Sequence, residues 1–175
     1  GNWPGKTIEN ATGYYEFQGK EYTLVDIPGT YSLLANSKEE EIARDFICFG
    51  DPDVSVVVAD ATCLERNLNL VLQTLEITNR VVVCLNLMDQ ANRNGIHIDT
   101  KKLSSLLGVP VVETTARSGK GLKALMETVQ KVCENPAAPR GYQIRYHAQI
   151  EQALAILQPS LEKLLGQKTS ARWMA

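Results

Sequence analysis

Three short segments carry residue types whose spacing could do chemistry. In Asp26-Ile27-Pro28-Gly29 a carboxylate is followed three residues later by glycine. The carboxylate could hold Mg²⁺ directly or through water, and the glycine would let a backbone N–H approach a terminal phosphate. In Asn86-Leu87-Met88-Asp89 the carboxylate of Asp89 could accept from the N1–H and 2-amino group of guanine. Adenine lacks that donor pair and would leave the carboxylate unpaired. Asn86 could tie neighbouring loops together and reach the base. The lysine usual after the asparagine of such a motif is replaced by Leu87. In Thr114-Thr115-Ala116 the backbone of Thr115 and Ala116 could support the guanine carbonyl. Each segment alone is an ordinary turn. Their order and intervals, each after a strand-like run, suit a nucleotide-binding α/β sheet, where ligands sit beyond strand ends.

The elements that must position these segments are legible in the hydrophobic pattern. Tyr14–Phe17 and Glu21–Asp26, split by Gln18-Gly19-Lys20, predict a β-hairpin. Ser37 with Glu40 forms a capping box opening a helix to about Phe49, closed by Gly50. Val54–Ala59 predicts a strand buried on both faces. Leu64, Leu68, Val71, Leu72 and Leu75 then keep helical spacing. Arg80–Leu85 and Val109–Val112 read as further strands, with a short helix between them capped by Asp99 or Thr100 and ended by Gly108. After Gly121, residues Leu122, Leu125, Met126, Val129 and Val132 share one helical face. Strands alternating with helices predict a mostly parallel sheet flanked by helices. Composition shifts at Asn135–Pro139, a linker signal, and helical spacing resumes from Ile150 to Leu164, with Pro159 expected to kink or split that helix. The expected organisation is therefore a nucleotide-binding unit over 1–138 and the start of an all-α unit over 139–175.

Composition narrows the partners. The chain has 175 residues, 44% of them hydrophobic, 22% charged, and a formal net charge of -2. That suits a folded core without the basic footprint of a nucleic-acid or anionic-lipid binder. The four cysteines form no C-x-x-C pair and read as reduced, mostly core thiols. His97 and His147 have no partners at metal-ligand spacing. No apolar run is long enough to span a bilayer.

Gly1-Asn2-Trp3-Pro4-Gly5-Lys6-Thr7 imitates a phosphate-binding loop, but only three residues separate its glycines, and neither the strand nor the amphipathic helix of that motif flanks it. Its place ahead of the hairpin fits a switch loop, with Thr7 as Mg²⁺ ligand and γ-phosphate sensor.

The segments Asn2–Glu9, Asp26–Leu33, Asp60-Ala61-Thr62-Cys63-Leu64-Glu65-Arg66-Asn67-Leu68 and Asn86–Asp89 together resemble the cytosolic N-terminal region of the bacterial ferrous iron transport protein B family. The likeness runs from Gly1 to about Val132, and residues after Tyr142 look like the start of that family's helical domain. The resemblance implies a P-loop GTPase-type fold and a slow GTPase coupled to Fe²⁺ uptake through a transmembrane domain of the same protein, at the cytoplasmic face of the inner membrane. It implies GTP or GDP with Mg²⁺ as ligands, Thr7 and Asp26 as Mg²⁺ partners, and Gly29 as the γ-phosphate contact. Asn86 and Asp89 would read guanine, flanked by Leu87 and backed by Thr115 and Ala116. In some members K⁺ is held by switch-one carbonyls, which fall near Gly1 and Trp3. Self-association is a further partner class the family leaves open.

Two departures qualify these expectations. Thr30-Tyr31 follows Gly29 where many small GTPases carry a water-positioning glutamine. The family's first strand, phosphate loop and following helix are missing from the sequence. That strand would lie between the second hairpin strand and Val54–Ala59, so roughly 25–35 upstream residues are expected in the native protein, the length of a strand–loop–helix unit. The chain by itself is then expected to bind GTP poorly or not at all and to be inactive as a GTPase. Two other readings compete: a translation or tRNA-modification type GTPase, which the acidic balance disfavours, and a non-catalytic partner-binding fragment.

Overall fold

The computed structural model describes residues 11–34, 36–135, 142–165 and 170–174, without the side chains of Leu164 and Leu165. Gly1, Trp3, Thr7 and the Pro136–Pro139 stretch lie outside the described residues.

The chain opens with an antiparallel hairpin, β1 (Ala11–Phe17) and β2 (Lys20–Asp26), turned by Gln18 and Gly19 at positive φ. The helix α1 (Lys38–Phe49) follows, capped by the Ser37 side chain accepting from the Glu40 N–H at 3.2 Å. The Glu40 carboxylate reaches back to the Asn36 N–H at 2.9 Å, so the predicted box closes one residue earlier than its usual form. Next come β3 (Ser55–Asp60), α2 (Leu64–Ile77) and β4 (Val81–Asn86). After them lie α3 (Met88–Arg93), α4 (Thr100–Leu107), β5 (Val111–Glu113) and α5 (Leu122–Glu134). Strands β3, β4 and β5 form a parallel sheet in that order, while β1 and β2 form a separate two-stranded sheet.

The main core lies on one side of the parallel sheet. Val57 and Ala59 of β3 join Val81, Val83 and Leu85 of β4 against Val71 and Leu75 of α2. On the other side α5 packs against β4 and β5. All five residues from Val81 to Leu85 are consequently buried. The expectation that β3 is buried on both faces is corrected: Val56 and Val58 are 41% and 58% exposed. The reason is coverage, since α2 packs on one face of β3 while α5, on the other, packs mainly on β4 and β5. Sequence gave β3 and β4 the same apolar signature, and only the placement of α5 separates them.

A second cluster forms around Leu33, Ala43, Cys48 and Ile77, with Ile27, Ile47, Leu70 and Trp173 packed against it. Trp173 belongs to α7 (Ala171–Met174), which packs on α6 (Ala148–Leu165) and on α2. Pro159 does not split α6 as expected. The carbonyl deprived of its donor belongs to exposed Ala155, where water can replace the lost bond. A polar knot fixes these helices: Arg172 donates to both Glu151 carboxylate oxygens, at 2.7 and 2.9 Å, and to the Ile144 carbonyl at 2.9 Å. The Tyr146 hydroxyl donates to Glu76 of α2 at 2.5 Å.

Arg172 and the Tyr146 N–H hold the Glu151 carboxyl down to about 2, from an ordinary 4.5. A carboxyl depressed in the folded state stabilises above its unfolded pKa and loses that contribution as pH falls. The α6–α7 contact is therefore expected to weaken between about pH 4.5 and 2. Trp173 emission in a Trp3→Phe background should shift across that window, and Glu151→Gln should abolish the transition there.

Candidate functional site

The site grows from the carboxyl end of β4. Leu87, immediately after the strand, adopts φ 62, a left-handed conformation uncommon for a side chain of its size. That turn lets the chain pass directly from β4 into α3. Six residues are too few for helical periodicity to register in the sequence. Met88 and Ala91 anchor α3 in the main core, which leaves Asp89 on the exposed side. Arg93, one turn on, pairs with the Asp89 carboxylate at 3.0 Å. Both partners are exposed, so this i,i+4 pair orients the carboxylate more than it stabilises the fold.

Asn86 is tied to the Thr114–Ala116 loop. Its side-chain oxygen accepts from the Thr114 hydroxyl at 3.2 Å and from the Ala116 N–H at 3.0 Å. The Met88 N–H donates to the Thr114 carbonyl at 3.3 Å, and the Thr114 N–H to the Leu85 carbonyl at 2.8 Å. Thr114 is buried, with its hydroxyl also 3.2 Å from the Cys84 sulfur. Burial pushes the Cys84 thiol up, which keeps it protonated. Replacing Thr114 by isosteric Val should remove the hydroxyl from this knot and lower stability by about 1–3 kcal/mol. Urea denaturation of Thr114→Val against the parent protein measures that loss.

Two cavities, each of about 380 Å³, flank this knot. The first is lined by Asp89, Asn92, Glu113, Thr115, Arg117 and Lys120, among others. Asn92, Arg117 and Lys120 were not anticipated from sequence. The signal was available in Ser118-Gly119-Lys120-Gly121, whose glycines adopt φ 75 and 84 and turn the chain back beside Thr115. The Thr115 N–H donates to the Lys120 carbonyl at 2.9 Å and closes that turn. The second cavity is lined by Gly29, Thr30, Tyr31, Val58, Asp60, Asn67, Asn86 and Leu87.

The structure thus gathers Gly29, Asn86 and Leu87 around one cavity and Asp89 and Thr115 around the other, with Ala116 bonded to Asn86 between them. Asp26, at the exposed end of β2, lines neither. The Thr30 hydroxyl is engaged within its own turn, donating to the Ser32 carbonyl at 2.6 Å and accepting from the Ser32 N–H. No cluster of three or more metal-ligating side chains exists among the described residues. Among them, no helix is long and apolar enough to cross a membrane.

The family model described as "Ferrous iron transport protein B" matches residues 1–129. The chain belongs to that family. The Fe(2+) transporter FeoB of Salmonella typhimurium is 42% identical over 135 residues, covering 75% of this chain and 18% of that protein. FeoB of Escherichia coli K12 is 40% identical over 139 residues, covering 77% and 18%. The chain therefore spans less than a fifth of the length of these relatives. Among solved structures, the cytosolic domain of T. maritima FeoB in a GDP form superposes with a TM-score of 0.86 at 32% identity, covering 99% of this chain and 68% of that one. The FeoB G-domain from Methanococcus jannaschii gives 0.69 at 42% identity, covering 74% and 83%. The α/β fold expected from sequence is that of FeoB G domains. Membership in the FeoB family sets aside the translation and tRNA-modification reading.

Proposed function

We propose that this chain forms the guanine-nucleotide-binding part of a GTPase that regulates Fe²⁺ uptake through a transmembrane domain of the same protein, at the cytoplasmic face of a bacterial inner membrane. The observation that carries the reading is the Asn86 side chain bonded to Thr114 and Ala116 beside the cavity that Asp89 lines. Asp89 would accept two hydrogen bonds from guanine. Thr115 and Ala116 would hold the loop that faces the guanine carbonyl. Gly29 would offer its N–H to the γ-phosphate. Among the described residues a Cβ at Gly29 would meet nothing within 4 Å, which leaves open space for a phosphate to approach.

Asp26 fits Mg²⁺, because its carboxylate is exposed and bonded to no described side chain, and Mg²⁺ takes one or two carboxylates while keeping several waters. Bound there with Thr7, the ion would neutralise charge on the phosphates. K⁺ would be held by the carbonyls of Gly1 and Trp3, which lie outside the described residues. Residues 1–138 would form the G domain and 139–175 the start of the helical domain. Of the two residues that follow Gly29, neither is a glutamine: the Thr30 hydroxyl is engaged with Ser32 and the Tyr31 ring lies under Arg66. That supports slow hydrolysis of GTP to GDP and phosphate.

The test is titration of a fluorescent GDP analogue into this chain and into the intact protein, with GTP and ATP as competitors. Displacement by GTP and not ATP supports the reading. Equal displacement by both, or no binding to the intact protein, overturns it and favours a partner-binding module.

A further inference from the structure

The Asp60–Leu68 motif and the helix it opens have no role in the reading so far. Arg66, Asn69 and Gln73 stand at i, i+3 and i+7 on α2 and so share one face. All three side chains meet the segment that follows Gly29, at Tyr31 or at Leu33. The Arg66 guanidinium lies 3.9 Å above the centre of the Tyr31 ring. The Asn69 amide donates to the Tyr31 carbonyl at 3.4 Å. The Leu33 N–H donates to the Gln73 side-chain oxygen at 2.7 Å. Leu33 itself is buried in the second core cluster against Ile77 at the end of the same helix. The clamped segment supplies Thr30 and Tyr31 to the cavity that Gly29, Asn86 and Leu87 also line.

We infer that Arg66, Asn69 and Gln73 are positioning residues that hold the Thr30–Leu33 segment, and through it Gly29, in register with the terminal phosphate of a nucleoside triphosphate. This rests on the guanine-nucleotide reading above. Gly29 carries no side chain to fix its own place, so the accuracy of its N–H depends on what anchors its neighbours. Gln73 is the strongest anchor, because it gives a backbone N–H its only side-chain acceptor among the described bonds of that segment to α2. Arg66 adds a cation–π contact over Tyr31, of the modest strength expected at an exposed site. The clamp acts on the segment beyond Gly29 and touches neither Asp89 nor the Thr114–Ala116 loop. It should therefore discriminate GTP from GDP and leave recognition of the base alone.

The test uses the intact protein with Gln73→Ala, Gln73→Glu and Arg66→Ala. Amide hydrogen exchange at Leu33 reports the clamp whatever the ligand. It should accelerate in Gln73→Ala and return to the parent rate in Gln73→Glu, which keeps an acceptor. Affinity for a non-hydrolysable GTP analogue should fall about fivefold in Gln73→Ala, the worth of one hydrogen bond. GDP affinity should stay within twofold, and kcat should fall with the analogue's affinity. Arg66→Ala, an exposed change with little risk to folding, should shift the same ratio in the same direction. GDP and GTP-analogue affinities falling together, or neither moving while Leu33 exchange accelerates, overturns the clamp. If the parent protein binds neither nucleotide, the guanine reading fails with it, even where Leu33 exchange behaves as expected.

Discussion

Replacing Asp89 with Asn should cost the intact protein about 10²- to 10⁴-fold in GDP affinity. Two hydrogen bonds from guanine to a carboxylate are charge-assisted, at about 1.5–3 kcal/mol each. The amide keeps one acceptor and replaces the other with a donor, which then faces the guanine 2-amino group. The same change should raise affinity for xanthine nucleotides. Their C2 carbonyl accepts from the new amide donor while N1–H still donates to the remaining oxygen. Isothermal titration with GDP and XDP measures both arms. A GDP affinity within threefold of the parent would remove Asp89 from base recognition. Arg93 would lose its ionic partner in this variant, and Arg93→Ala supplies the control that separates that effect.

Gly121→Ala should lower stability by about 3–5 kcal/mol, the range of backbone strain combined with steric overlap. Gly121 precedes α5 with φ 84, which already disfavours any side chain. A Cβ there would stand 2.1 Å from the Glu113 carbonyl oxygen and 3.1 Å from the Thr114 Cα. Both are backbone atoms of β5 and the loop behind it, so no rotamer change relieves the overlap. Gly119→Ala is the comparison, since its φ is 75 but its Cβ would meet nothing within 4 Å. It should cost only about 1–2 kcal/mol, the left-handed penalty alone. Urea denaturation of the two variants separates strain from collision. Equal losses would show that the Glu113 contact yields.

The succession of strands and helices along the chain was legible because it rests on local pattern. Runs of Val around residues 56 and 82 and the Ser37 cap predict their elements within a residue or two. Three features were not legible, each for a nonlocal reason. The exposed face of β3 depends on how far α5 reaches across the sheet. The helix α3 is held by two core contacts, Met88 and Ala91, rather than by propensity. The continuity of α6 through Pro159 depends on the exposure of Ala155. Around the first cavity, Asp89 has a type and spacing that can be read in the sequence. For Arg117 and Lys120 the Gly119-Lys120-Gly121 spacing announces a turn, but not that the turn brings these side chains to the cavity.

The shortness of α3 has a genetic consequence. Asp89 and Asn92 face the first cavity from an element whose place is set by Met88 and Ala91 in the core. A selection for lost nucleotide binding would therefore recover two kinds of allele that look alike. One kind alters the cavity, and the other enlarges Ala91, which has no accessible surface, and tilts the side of α3 that lines it. Second-site suppressors would tell them apart. Alleles at Ala91 should be rescued by smaller residues across the core, at Leu107 or Val109. Alleles at Asp89 should be rescued only by a change of nucleotide.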